Sequence, residues 1–71
     1  MMMAYYRDAL LQLKEAARLY PDDAETQLYL GLSLFKTGDR DGARVAFDKG
    51  WHLAPGAEAG KSAKTYLDLL Q

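Results

Sequence analysis

The sequence predicts an all-α fold, an antiparallel helix-turn-helix α-solenoid fragment of four helices. Three observations lead there. The chain matches itself at one fixed offset, the one that carries Ala9 onto Ala43. Each matching segment places small and apolar residues at helical spacing. Pro21, Gly38 and Pro55 interrupt these segments where helices stop. The chain reads as a single domain over 1–71, and one this short buries only about 60% of its unfolded surface.

The offset is specific. Ala9 falls on Ala43, Leu13 on Phe47, Ala16 on Gly50, Leu19 on Leu53 and Pro21 on Pro55. Small residues meet small ones, large apolar residues meet large apolar ones, and proline meets proline. Residues 6–21 and 40–55 therefore read as one structural unit used twice.

The first helix is expected over residues 4–20, with Ala9, Leu13, Ala16, Ala17 and Tyr20 on one face. Pro21 ends it, because the residue before a proline is pushed out of the helical region. Asp22 or Asp23 caps the next helix, which carries Glu25 in its first turn, where the helix dipole favours a carboxylate. That helix runs to about Thr37, and Gly38 supplies a left-handed stop. Asp39 caps the third helix, Arg40–Leu53, and the short "TGDR" link makes the two helices antiparallel neighbours.

The third helix places Ala43, Phe47, Gly50, Trp51 and Ala54 on one face, and Pro55 ends it. Small residues at Ala9, Ala16, Ala43 and Gly50 let a neighbouring axis come close, while Leu13 and Phe47 fill the gap between. The fourth helix, over 57–71, has Ala59, Ala63, Tyr66, Leu67 and Leu70 towards the protein and Lys61, Lys64 and Asp68 towards water. Trp51 is expected to pack on Tyr66 or Leu67.

Composition excludes several classes. The formal charge is −1 with no cluster of Lys or Arg, which makes nucleic acid a poor partner. There is no cysteine, hence no disulfide framework and no thiolate metal site. The longest uncharged apolar segment, "LYLGLSLF", is much too short to span a bilayer, so no membrane insertion is expected. "MMMAYY" meets Arg7 and Asp8 before it builds the apolar core of a signal peptide, so a cytoplasmic location is the default expectation.

Leu30-Gly31, Ala43, Phe47 and Pro55, with the turn Gly38-Asp39, carry a known spacing. Residues 24–57 resemble a tetratricopeptide repeat, the helix-turn-helix unit from which helical solenoids are stacked. Gln27 and Leu34 stand where the family prefers aromatics and Gly50 where it prefers Ala; the spacing is intact. The resemblance covers residues 6–23 as the second helix of a preceding repeat. It divides the domain into 4–20, the second helix of an incomplete repeat, 23–55, a full repeat, and 57–71, a capping helix.

The candidate chemistry is thin. Gly60-Lys61-Ser62 looks like the end of a phosphate loop, but Gly56 and Gly60 lie one residue too close for that motif and no strand precedes them. Asp39 and Asp41 in "GDRDG" lack the later ligands of a calcium loop. His52, the only histidine, has no Ser, Cys or second His beside it and reads as a surface residue. No catalytic, cofactor or metal residue is expected, and the chain is not expected to be an enzyme.

What remains is a surface. Leu30, Gly31 and Leu34 face the third helix, while Leu28, Leu32 and Phe35 form a second apolar stripe that something must cover. Either the first helix covers it, or it lines a groove. The resemblance implies a protein-interaction module binding a peptide or helix in an apolar concave groove, at Glu25, Leu28, Leu32, Phe35 and Lys36. Family members that clamp the carboxylate of chaperone tails use Lys and Asn where this chain has Leu28 and Leu32, so that ligand class is not implied. The alternative reading is a self-assembling module. Tyr6, Leu10 and Leu13 would pack on a preceding first helix in a full array; here they mark an excised piece or, with residues 1–6, a homodimer contact.

Overall fold

The computed structural model describes residues 2–71, with side chains from residue 5 onward. It contains α1 (Met2–Leu19), α2 (Ala24–Lys36), α3 (Arg40–Leu53) and α4 (Glu58–Leu70), with no strand among those residues. The all-α, tetratricopeptide-like expectation holds.

Local chemistry places the helix ends. α1 stops at Leu19, short of Pro21, and the Tyr20 amide still donates to the Ala16 carbonyl at 2.7 Å. Asp23 caps α2, one carboxylate oxygen accepting from the Glu25 amide at 3.3 Å and the other from the Thr26 hydroxyl at 2.7 Å. α2 closes on Gly38, whose φ of +97° lets its amide reach the Phe35 carbonyl and the Asp39 amide reach Leu34. This paired closure satisfies carbonyls that a helix end otherwise leaves without partners. Asp39 then caps α3 by accepting from the Gly42 amide at 2.8 Å. Asp39→Ala is expected to destabilise the chain by about 1 kcal/mol. For a domain of this size that lowers the thermal midpoint by about 4–8 °C, readable by circular dichroism.

α2 packs against all three other helices, α3 packs on α2 and α4, and among the described residues α1 rests on α2 alone. Phe47 is the centre, 1% exposed, within a core of Leu28, Leu34, Ala43, Ala46, Ala63, Leu67 and Leu70. α2 and α3 meet at Gly31, where a Cβ would lie 2.5 Å from a Phe47 ring carbon. α2, α3 and α4 converge at Gly50, where a Cβ would lie 3.2 Å from that of Ala63 and 3.5 Å from that of Gln27. The small residues sit where axes approach.

The offset that relates α1 to α3 also relates α2 to α4. It carries Ala24, where α2 begins, onto Glu58, where α4 begins, and Lys36 onto Leu70, where they end. The outer face of α4 differs in chemistry. Gln27, Gly31 and Leu34, by which α2 holds α3, correspond to Lys61, Thr65 and Asp68, all exposed.

Of the two partners expected for Trp51, Tyr66 is engaged elsewhere, while Trp51 packs against the core that includes Leu67. Tyr66 stacks on Phe47, ring centroids 5.3 Å apart and planes 20° from parallel, rather than on Trp51. Trp51 instead carries the Lys64 ammonium 5.8 Å above its ring, and Lys64 also pairs with Asp68 at 2.9 Å. The register of α4 along α3 sets the choice: Gly60 lies against Ala54, Ala63 against Gly50, and Tyr66, about one turn further on, reaches Phe47.

Candidate functional site

α2 and α4 lie side by side and leave a groove of about 220 Å³ between their C-terminal halves. Leu32, Phe35 and Lys36 line it from α2, Tyr66, Leu69 and Leu70 from α4, and Phe47 of α3 forms the floor. The two walls are the same positions used twice: the repeat offset takes Leu32 to Tyr66, Phe35 to Leu69 and Lys36 to Leu70. Phe35 is 41% exposed and Leu69 is 73% exposed, so both rims present apolar side chains to solvent. The charge in the lining is Lys36, whose ammonium sits 5.9 Å from the centroid of the Tyr6 ring. Such a contact is worth about 0.5–1 kcal/mol at an exposed site and keeps the cation at the groove's end.

The structure brings Leu32, Phe35 and Lys36 together and leaves Glu25 and Leu28 outside this groove. Leu28 is only 8% exposed and belongs to the core. Glu25 lies in the first turn of α2, about 16 Å along the axis from Lys36 in the last. Exposure rises along the stripe from Leu28 through Leu32 to Phe35, because α2 is enclosed by neighbours in its first half and opens towards its C-terminus. Tyr66, Leu69, Leu70 and Phe47 were not among the residues expected in the groove. The signal for the first three was the repeat itself, since its offset moves the groove positions of α2 onto them.

A second groove, of about 450 Å³, runs between α1 and α2. Tyr5, Tyr6, Ala9, Gln12, Leu13 and Ala16 line it from α1, and Tyr29, Leu32 and Ser33 from α2. Of the residues expected to mediate self-association, Tyr6 and Leu13 line this groove, whereas Leu10 packs against the core. α1 thus turns Leu10 inward and a different strip of residues outward. Residue 1 and the side chains of residues 2–4, which that expectation included, lie outside the described residues.

Gly60-Lys61-Ser62 lies within the first turns of α4, not in a loop between strand and helix. Gly60 is buried there because the Ala54 carbonyl occupies the space of its missing side chain. The Asp39 carboxylate is committed to its cap, and Asp41 pairs with Arg44. His52 is exposed, with Nδ1 2.8 Å from the Asp48 carbonyl and 3.3 Å from its carboxylate. The Arg18 guanidinium holds the Glu15 carboxyl below its ordinary range, and Glu15 raises Arg18 in turn. That pair lines neither groove. Among the described residues no three metal-ligating side chains cluster, and no helix is long and apolar enough to cross a membrane.

No family model matches the chain, and no solved structure does. Over 50 residues, 70% of its length, the chain is 44% identical to the TPR repeat-containing protein PA4299 of Pseudomonas aeruginosa. The matched stretch is 20% of that protein. This similarity, the capped helical pair around Gly38 and the recurrence of wall positions at the repeat offset all agree: the chain belongs to the tetratricopeptide repeat family.

Proposed function

We propose that the chain is a non-catalytic protein-interaction module that holds an apolar segment of a partner protein in the groove between α2 and α4. One observation carries this reading. Equivalent positions of the two repeat-related helices converge on one groove, floored by Phe47 and rimmed by Phe35 and Leu69. A row of large apolar side chains along a concave face suits a short helix or extended peptide with apolar residues at alternate contact points. Glu25 and Leu28 take no part in it.

Leu69→Glu is the cleanest test, because Leu69 is exposed and its replacement leaves the core intact. Leu32→Glu is a weaker one, since Leu32 packs against the core and borders both grooves. Peptides selected from a random library against the chain are expected to be apolar. Leu69→Glu is expected to weaken them at least tenfold, about 1.4 kcal/mol, while the helical circular dichroism stays unchanged. Equal affinity for the variant would move the site elsewhere.

A second reading, self-assembly between identical chains, is favoured by a different surface. Tyr5 and Leu11 of α1 are 68% and 70% exposed, and among the described residues α2 covers α1 on one side only. Sedimentation across a range of concentrations tests it: a monomer at every concentration removes this reading.

A further inference from the structure

The uncovered strip of α1 has a counterpart inside the same molecule. α3 holds α2 through Ala43, Ala46, Phe47 and Gly50, all buried. Moved back by the repeat offset these become Ala9, Gln12, Leu13 and Ala16, which all line the groove on α1. The strip is therefore a helix-packing face by internal symmetry, equivalent to an interface the fold already uses once. Its small residues, Ala9 and Ala16, are the counterparts of Ala43 and Gly50, at which a second helix comes close.

The order of residues along that strip points to what covers it. Tyr5, Ala9, Gln12, Ala16 and Tyr20 follow at i, i+4, i+7, i+11 and i+15, one stripe of a helix, and the Tyr20 amide still bonds to Ala16. The outer members of the stripe mirror one another about a centre between Gln12 and Leu13: Tyr5 with Tyr20 and Ala9 with Ala16, while Gln12 falls on Leu13. In an antiparallel pair with its two-fold axis there, Tyr5 meets Tyr20 of the second copy and Ala9 meets Ala16 of the second copy. Alanine on alanine permits close approach of the axes, and aromatic on aromatic closes each end. An isologous dimer requires such a self-complementary face, because each residue i meets j while j meets i. The positions by which α4 would hold a following helix are not apolar: Lys61, Thr65 and Asp68 are polar and exposed. The apolar Tyr66 and Leu69 of α4 belong to the groove shared with α2. A head-to-tail stack of copies through the two repeat ends would set the apolar strip of α1 against Lys61, Thr65 and Asp68, which favours a closed pair over a filament.

We propose that two copies of this chain pair antiparallel through α1, about a two-fold axis between Gln12 and Leu13. This rests on the self-assembly reading above and adds its geometry. The chain has no cysteine, so single cysteines report on it without background. Under mild oxidation, Gln12→Cys, next to the axis, forms a disulfide-linked dimer. Tyr5→Cys alone does not: in a centred antiparallel pair the two copies of residue 5 are about 22 Å apart along the helix, beyond disulfide reach. Equimolar Tyr5→Cys and Tyr20→Cys cross-link to each other. Sedimentation of the reduced unmodified chain is run beside these. A monomer there overturns self-assembly itself. A dimer in which Tyr5→Cys cross-links to its own kind, or Gln12→Cys does not, retains self-assembly and overturns the antiparallel α1 pairing.

Discussion

Phe47→Ala is expected to remove about 3–5 kcal/mol of folding stability, the usual loss for truncating a buried phenylalanine. Marginal stability of about 0.05–0.15 kcal/mol per residue gives a 71-residue chain about 4–10 kcal/mol in total. The variant therefore sits at or near unfolding at 25 °C. The effect is large because one ring serves three helices. Phe47 fills the space opposite Gly31 of α2 and stacks on Tyr66 of α4, and its burial is nearly complete. Truncation leaves a void that glycine cannot refill from α2, and it removes the groove floor. Urea unfolding followed by far-ultraviolet circular dichroism measures the loss. A loss no larger than that of deleting one buried methyl group, about 0.5–1.5 kcal/mol, contradicts the central place given to this ring. The repeat-equivalent Leu13 is only half-buried, so Leu13→Ala is expected to lose less.

Gly60→Ala is expected to destabilise by about 1–3 kcal/mol, although alanine is the better helix former by about 1 kcal/mol. Gly60 has an ordinary helical φ, so its role concerns space and not conformational freedom. A Cβ there would overlap the Ala54 carbonyl oxygen and lie 2.5 Å from its carbon. Both obstacles are backbone, at the C-terminus of α3, and cannot rotate aside. α4 must move away from α3, which loosens the Phe47–Tyr66 stack and widens the groove. Peptide affinity should then fall together with stability. Gly56→Ala is the control, with nothing within 4 Å of the added carbon and an expected change within about 0.5 kcal/mol. A Gly60→Ala chain more stable than its parent would show that α4 slides without penalty, against the tight α3–α4 approach.

Much of the architecture was legible in the letters. Asp23, Gly38 and Asp39 mark helix ends where the structure has them, and Ala43, Phe47 and Gly50 marked the packing face of α3, whereas their counterparts Ala9, Leu13 and Ala16 line an open groove. The groove was half legible. Leu32, Phe35 and Lys36 were read from α2, but the facing wall was not, because α4 keeps the positions of the repeat while changing its residues. Leu28 shows the limit of a periodicity argument. It shares a stripe with Leu32 and Phe35, yet it is in the core while Phe35 is half in solvent. Tyr66 shows another: Phe47 and Trp51 share one face of α3, and only the register of α4 along α3 brought Tyr66 onto Phe47.

The division has a physical cause. Helix ends follow from bonds closed within about four residues, so Asp, Gly and Pro decide them whatever the rest of the chain does. The recurrence at one fixed offset likewise states which units are alike, since the same packing needs the same sizes at the same places. Which apolar side chain is covered is a different matter. It depends on helices arriving from elsewhere in the chain, on where their axes cross, and on how much of each stripe the crossing leaves open. Packing alone made Leu28 core, turned Leu10 inward, and left Leu69 and Tyr5 facing out.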